Sequence, residues 1–279
     1  MKRMFAGAGL ALIAAALVYA GDQKDDLSKI GSRDVGKGVN FYSMEKEIAL
    51  GRQLAQEVKR QTKVLDDPIV GEFVNRVGQN LVRNSDAKVP FTFEVLDGPE
   101  VNAFALPGGY VFVYSGLLKM ADEEDEFAAV LAHEIAHVAA RHMTREATRQ
   151  QIAHMGRIPL AVVLGGAAGA AARESTAVMP LPFLHFERKD ENEADYLGVE
   201  YLYAAGYDPT GAVSMFEKLE AMRRKDAGAV KRLFSTHPAD SDRIGRTQRE
   251  IERILPSRPT YVVTTAEYTA IHERLLARQ

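Results

Sequence analysis

The sequence predicts an α+β fold that is mainly helical and has a small β-sheet. Apolar residues recur at helical spacing through most of the chain, which indicates amphipathic helices. Two short runs, residues 91–96 and 110–114, are instead rich in β-branched and aromatic residues, as strands are. With 279 residues, 46% of them hydrophobic, the chain is long enough to bury one sizeable core.

The charge balance and the absence of cysteine exclude several classes of function. Lys and Arg total 35 against 38 Asp and Glu, a formal net charge of -3, so no basic surface suited to nucleic acid is expected. Without cysteine the chain forms no disulfide and offers no thiolate to zinc, to an iron–sulfur cluster or for nucleophilic catalysis. Catalytic or metal-binding chemistry must therefore come from histidine, carboxylate, hydroxyl or lysine side chains.

The N-terminus has the parts of a cleavable export signal. Lys2 and Arg3 precede an apolar run, and Val18 and Ala20 are the small residues that precede a cleavage site. We predict that residues 1–20 are a signal peptide cleaved after Ala20, which would deliver a periplasmic protein. The alternative is an uncleaved helix that anchors the chain to the inner membrane. Residues 21–42 are predicted to be a flexible leader, and residues 43–279 a single domain without repeats.

Capping residues and periodicity define the elements of that domain in order. Ser43 is a typical N-cap for a first helix, and Pro68 suits the first turn of a second. The two predicted strands follow, with a Pro-Gly-Gly turn at residues 107–109 before the second. The remaining expectations are a helix over 122–155, an apolar stretch at 158–172, helices over 187–205, 209–225 and 240–254, a loop at 235–238, an extended segment at 261–263 and a terminal helix.

The predicted helix over 122–155 contains the sequence His133-Glu134-Ile135-Ala136-His137. Two histidines four residues apart lie on one face of a helix, so both imidazoles can reach a single metal ion. Glu134 is then placed to act as general base on a water activated by that ion. The flanking residues are apolar, and a buried group of two histidines and a glutamate requires compensation, which a metal ion supplies.

A catalytic zinc ion usually has three protein ligands. Because cysteine is absent, the third must be His, Asp or Glu, and the helix over 187–205 places Glu187, Glu191 and Asp195 on one face. Spacing alone does not choose between Glu187 and Glu191. Glu191 followed by Asp195 is the better pair, since one can bind metal while the other orients a ligand histidine. Glu193 is expected to point to the opposite side.

The chain resembles the zinc metallopeptidases of family M48. The stretches that carry the resemblance are residues 47–51, 101–109, 133–138, 191–195 and 236–238, with Arg243. The resemblance implies a zincin-like fold with the sheet beside the active-site helix. It also implies one Zn²⁺ per chain held by His133, His137 and Glu191, with Glu134 as base and Asp195 behind the ligands.

The resemblance gives further residues a role. His237 is expected over the metal, where it would donate to a developing oxyanion or fill the fourth coordination position and keep the enzyme latent. Arg243 is assigned to charge stabilisation or to a salt bridge with Asp195. The segment Asn102, Ala103 and Phe104 is expected to bind substrate backbone as an edge strand, the alternative being a purely structural strand.

The function predicted from these residues is a zinc metalloendopeptidase that hydrolyses misfolded or unassembled envelope proteins. The alternative is a latent, zinc-bound, chaperone-like quality-control protein of the periplasm. Polypeptides are the expected partners, and peripheral contact with the membrane or the outer-membrane assembly machinery is left open. Residues 158–172 are expected to form a buried or plugging loop-helix that gates the cleft, the alternative being contact with a membrane surface.

Overall fold

A computed structural model describes residues 26–155, 186–228, 230–238 and 242–278. Most of these residues are helical and three short strands form one sheet, so the predicted α+β class is confirmed. The predicted signal peptide and the apolar stretch at 158–172 lie outside the described residues. In the part of the chain described, no helix has the length and apolar character needed to cross a membrane.

Most of the predicted elements are present in the expected order, although some ends differ, one predicted helix is divided and two short helices are added. After a single 3-10 turn at Leu27–Lys29, the described elements are α1 (Met44–Gln61), α2 (Pro68–Arg83), β1 (Thr92–Leu96), β2 (Ala103–Leu106), β3 (Tyr110–Tyr114), α3 (Ser115–Met120), α4 (Glu124–Ala139), α5 (His142–Met155), α6 (Arg188–Ala204), α7 (Thr210–Lys225), α8 (Lys231–Thr236), α9 (Arg243–Ile254) and α10 (Ala266–Leu276).

The sheet has the order β1-β3-β2, with β1 parallel and β2 antiparallel to the central β3. The turn between β2 and β3 uses Gly108 and Gly109, whose φ angles of 74° and 92° suit glycine. A Cβ on Gly109 would lie 2.1 Å from the carbonyl oxygen of Pro90, so this turn also requires a residue without a side chain. Among the described residues β2 is an edge strand, since no described strand pairs with its other side.

Helix α4 passes through the centre of the molecule. It packs against α2, α6, α7 and β2, and nearly all of its side chains are buried. At its start, Glu126 accepts hydrogen bonds from the backbone N–H groups of Asp122 (2.8 Å) and Glu123 (3.3 Å) and so caps the helix. Gly198 of α6 lies against the backbone of His133, which lets the two helices approach closely. The core therefore surrounds the His-Glu-x-x-His sequence.

The single helix expected over 122–155 is wrong, because the chain breaks between α4 and α5. Arg141 has a φ of 57°, a conformation that L side chains adopt rarely, and it turns the chain away from the axis of α4. The Arg141 side chain donates to Glu47 (2.8 Å) and to the carbonyl of Tyr42, which holds the turn in place. The short helices α3 and α8 were also not predicted, and α8 includes the first two residues of the loop expected at 235–238.

The described part of the leader, residues 26–42, lies on the domain. Arg33 donates to Asp86, which follows α2, at 2.6 Å and to Glu200 of α6 at 2.7 Å. The side chains of both acids are fully buried. The backbone N–H of Gly31 also donates to Asp86 (2.8 Å). We therefore find specific contacts in a segment expected to be flexible, while the predicted domain boundaries themselves stay a prediction.

Candidate metal centre

Four buried side chains from three parts of the chain converge at the middle of α4. The ligand-capable atoms of His133, His137, Glu191 and His237 lie within 4.8 Å of one another. Nε2 of His133 is 3.0 Å from Nε2 of His137, and Oε1 of Glu191 is 3.4 Å from the latter. His133 and His137 lie on one face of α4, and Glu191 faces them from the first turn of α6. The predicted residues are therefore brought together.

The chemistry of this cluster fits a metal ion. Its three imidazoles and one carboxylate are ligand types that zinc binds. Oε2 of Glu191 is buried and makes no hydrogen bond within the described structure, although Arg243 Nη1 lies 3.7 Å away, so this oxygen keeps a lone pair available for a metal ion. Burial lowers the pKa of His137 well below its ordinary value, which keeps the imidazole neutral and its nitrogen lone pair available.

The pKa of Glu191 is shifted in the opposite sense to the one burial alone would give. Burial would raise it, but His237, His137 and His133 hold it well below its usual range. Glu191 is therefore ionised at neutral pH, as a metal ligand must be. Glu187, the other candidate, lies just before α6 with its side chain 49% exposed and paired with Lys189, away from the cluster.

Glu134 is oriented by the neighbouring β-strand. Its Oε2 accepts a hydrogen bond from the backbone N–H of Ala105 at 2.9 Å, and its Oε1 lies 3.5 Å from Nε2 of His237. Burial raises the pKa of Glu134, with His237 and His133 opposing the rise. A carboxylate beside the cluster with a raised pKa is suited to accept a proton and return it.

His237 directly follows α8 and is extended (φ -114°, ψ 92°), as expected of a residue before proline. Its Nδ1 lies 2.9 Å from Glu191 Oε1 and 3.4 Å from His133 Nε2. Burial would lower the pKa of His237, but Glu191 and Glu134 raise it above its ordinary value. The lone loop histidine of the sequence is thus part of the cluster.

Asp195 and Arg243 support the cluster from behind. Asp195 Oδ1 lies 2.9 Å from Nδ1 of His133, and its carboxylate accepts from Arg243 Nε at 2.7 Å. The guanidinium of Arg243 also stacks 4.0 Å from the ring centre of Phe216. Of the two roles predicted for Arg243, the salt bridge to Asp195 is present in the structure.

His142 contacts the cluster and Glu193 contacts His142, although helical spacing assigns neither of them a role in it. His142 is fully buried, with Nδ1 2.9 Å from Nδ1 of His137 and Nε2 3.1 Å from Oε2 of Glu193. Glu193, expected to face away, is therefore turned towards α5. Phe186 also stacks on the ring of His137 with centroids 4.1 Å apart. Helical spacing carries no signal for these contacts, because they depend on the break at Arg141.

The side of β2 that pairs with no described strand faces the cluster. The register of β2 on β3 decides which of its backbone groups point to that side. Asn102 O accepts from the N–H of Tyr114 in β3, whereas the N–H of Ala105 points outward to Glu134. Because directions alternate along a strand, Ala103 shares the outward direction of Ala105, and Phe104 faces β3. The Phe104 ring packs on Phe112. Among the three predicted substrate residues, only Ala103 therefore offers its backbone to the open edge.

Two cavities lie on either side of this edge. The larger, of about 530 Å³, adjoins Glu134 and is lined mainly by apolar side chains, among them Val130, Met215, Phe216, Leu219 and Phe234. The smaller, of about 280 Å³, adjoins His137 and includes Ala105, Leu106, Val138 and Phe186. The cluster thus sits between two recesses that an extended chain along β2 would reach.

Known proteins resemble this chain over most of its length. The profile of peptidase family M48 matches residues 70–251. The putative beta-barrel assembly-enhancing protease of Vibrio cholerae is 32% identical over 244 residues, covering 85% of this chain and 50% of that protein. The beta-barrel assembly-enhancing protease of Escherichia coli is 29% identical over 243 residues, covering 84% and 49%.

A mitochondrial relative shows a similar level of agreement. The metalloendopeptidase OMA1 of Schizosaccharomyces pombe is 36% identical over 188 residues, which cover 66% of this chain and 52% of that protein. The chain spans about half the length of the curated relatives it matches.

Proposed function

The chain belongs to peptidase family M48, and from that membership we propose that it is a zinc-dependent endopeptidase that hydrolyses polypeptides. The observation that carries the proposal is the convergence of His133, His137 and Glu191 within ligand distance of one another, with Glu134 beside them. In our proposal the first three residues hold the metal ion. When bound, zinc supplies a Lewis acid that lowers the pKa of water towards about 7.

The proposed role of Glu134 is to move the proton during hydrolysis. Its carboxylate accepts the proton of the attacking water and returns it to the amine of the departing peptide. The hydrogen bond from Ala105 N–H fixes one carboxylate oxygen, leaving the other towards the cluster. Burial raises the pKa of Glu134, which favours its taking up a proton.

Two roles for His237 follow from its position, and both are compatible with the proposal. Through Nε2, close to Glu134, it can donate a hydrogen bond to negative charge that develops on a substrate carbonyl. Through Nδ1, close to His133 and Glu191, it can occupy a fourth ligand position and hold the enzyme latent. Replacing His237 by Ala should change the rate of proteolysis with zinc still bound, and an unchanged rate would remove both roles.

Substrate is proposed to bind as an added strand along β2. The outward backbone groups of Ala103 support this arrangement, since main-chain pairing recognises extended polypeptide with little regard to sequence. The apolar cavity beside Glu134 supports a preference for an apolar side chain next to the cleaved bond. Misfolded proteins expose such segments, so we propose misfolded or unassembled envelope proteins as the substrates, in line with the printed names of the bacterial relatives.

The proposal is tested by metal analysis and a casein assay on wild type beside Glu134→Gln. We expect about one zinc ion per chain in both proteins and casein hydrolysis only in the wild type. Metal-free wild-type protein, or full activity in Glu134→Gln, would overturn the assignment. The mass of the mature N-terminus tests the proposed cleavage after Ala20 against a retained membrane anchor.

A chaperone-like function is the second candidate, because His237 is already inserted in the cluster and a latent metal centre would still bind unfolded chains. The two functions differ in one measurement. If Glu134→Gln suppresses aggregation of an unfolded client as well as wild type does, and wild type cleaves nothing, the chaperone-like function is favoured.

A further inference from the structure

We propose that His142 and Glu193 form a hydrogen-bonded relay that positions His137 as a metal ligand. This inference rests on the proposed function, because it assigns a positioning role towards the same metal centre. His137 uses its two ring nitrogens in different directions. Nε2 faces His133 (3.0 Å) and Glu191 (3.4 Å), whereas Nδ1 faces Nδ1 of His142 (2.9 Å).

Only one arrangement of protons makes every contact in the relay favourable. Nε2 of His137 must be unprotonated to bind a metal, so its proton is on Nδ1, which donates to Nδ1 of His142. The proton of His142 is then on Nε2, which donates to Oε2 of Glu193 at 3.1 Å. The Glu193 carboxylate thus fixes the tautomer of His142, and His142 fixes the tautomer and ring plane of His137.

The backbone is shaped to bring His142 to this position. On an uninterrupted helix, a residue five places after His137 would lie about 140° away around the axis. The left-handed conformation of Arg141 breaks the helix one residue before His142. The break directs the His142 side chain towards α4 and α6. Non-glycine residues in this conformation are uncommon and concentrate where a function requires them. The unusual turn and the relay therefore have a common explanation.

A second metal site is the competing interpretation of the same residues. His142, Asp190 and Glu193 lie close enough to share a cation. However, Arg149 already forms an ion pair with Asp190, and Arg145 lies 3.6 Å from Glu193. Asp190 is also 4.0 Å from His142 Nε2, beyond hydrogen-bond distance. The positive charge that these carboxylates require is thus supplied by arginine.

The relay is tested by the zinc affinity of the full chain, measured by competition with a chelator. His142→Leu removes the acceptor for His137, and we expect affinity to fall about 10- to 100-fold. His142→Asn keeps an amide oxygen close to the position of Nδ1 and should recover most of the loss. His272→Asn is the matched control, since His272 donates to a carbonyl of α3 far from the cluster and should bind zinc as wild type does.

Further readouts separate positioning from structural damage. Glu193→Ala should weaken zinc binding less than His142→Leu, and Glu193→Gln, which keeps an acceptor, should weaken it least. The melting temperatures of the metal-free proteins show whether folding is affected. If His142→Leu fails to fold, the zinc affinity of Glu193→Ala compared with that of Glu193→Gln decides whether the relay exists. Three results would overturn the relay. They are a wild-type zinc affinity in both His142→Leu and Glu193→Ala, an equal loss of affinity in His142→Leu and His142→Asn, and two zinc ions bound per wild-type chain. Because zinc affinity is measured without substrate, a wild type that binds zinc but cleaves nothing would refute the proposed function and leave this inference standing.

Discussion

Replacing Asp195 by Asn is the most informative single perturbation of the metal centre. The Asp195 carboxylate has no exposed side-chain surface and accepts hydrogen bonds from Arg243 Nε (2.7 Å) and Nη2, with His133 Nδ1 at 2.9 Å. The substitution keeps the shape but removes the charge. Arg243, only 12% exposed, would lose the carboxylate that compensates its guanidinium.

The expected loss of stability follows from that burial. Breaking a buried ion pair by removing one partner costs about 3–5 kcal/mol. Arg243 keeps its contacts with the Phe216 ring (4.0 Å) and with Glu191 (3.7 Å), so we expect the lower end of the range. A loss of about 3 kcal/mol corresponds to a fall in melting temperature of about 6–12 °C for a domain of this size.

The stability difference between wild type and Asp195→Asn should depend on pH. Burial would raise the pKa of Asp195, but Arg243 and His133 hold it below its usual value. A carboxyl group with a lowered native pKa stabilises the fold above its unfolded pKa of about 3.9, and this contribution disappears as the pH falls through the native pKa. The difference between wild type and Asp195→Asn should therefore be full at pH 7 and shrink below about pH 4.

The assay is urea unfolding of the metal-free proteins, followed by zinc competition. Asp195→Asn should also weaken zinc binding, by at most about 10- to 100-fold, because an uncharged amide oxygen is a weaker acceptor for the Nδ1 proton of His133 than the carboxylate it replaces. The double variant Asp195→Asn with Arg243→Met removes the unpaired charge, so it should recover stability but not zinc affinity. Unfolding of the single variant within about 0.5 kcal/mol of wild type would refute the reasoning.

Three other substitutions test the packing, the electrostatics and the edge strand. Gly198→Ala adds a Cβ 3.2 Å from the backbone nitrogen of His133, so it should push α6 away from α4 and weaken zinc binding. Gly71→Ala is the control, because its Cβ meets nothing within 4 Å. This variant should bind zinc normally and gain about 1 kcal/mol of stability. Burial raises the pKa of Asp125 to about 7, so ionisation destabilises the fold as the pH rises. Asp125→Asn should thus have a higher melting temperature than wild type at pH 8, and this difference should vanish towards pH 4. An equal difference at pH 8 and pH 4 would show that ionisation of Asp125 is not the cause. Ala103→Pro should raise KM for peptides with zinc still bound, whereas Phe104→Pro should mainly lower stability because its N–H faces β3.

The sequence predicted the site well where one helix face decides the geometry. His133 and His137 are four residues apart on α4, and that spacing alone brings their Nε2 atoms together. The same rule could not choose between Glu187 and Glu191, since both share a face with Asp195. The choice depends on where α6 begins, and Glu187 lies just before its first turn.

Other features could not be read from local patterns because they depend on tertiary contacts. His142 reaches His137 only through the turn at Arg141, which is held by Glu47 from a distant part of the chain. Helix α3 has only six residues, and its first four are all buried by neighbouring elements, so it is too short to show a helical period. In both cases the partners lie far away in sequence.

Arg33 has a practical consequence for how this protein should be produced. A recombinant fragment designed from the sequence would begin near residue 43, where the helical pattern starts. Such a fragment would lack the guanidinium that lies between Asp86 and Glu200, both of whose side chains are buried. Because Glu200 belongs to the same helix as Glu191 and Asp195, the truncation would disturb the element that faces the histidines. Expression plasmids should therefore retain the chain from residue 26 onward.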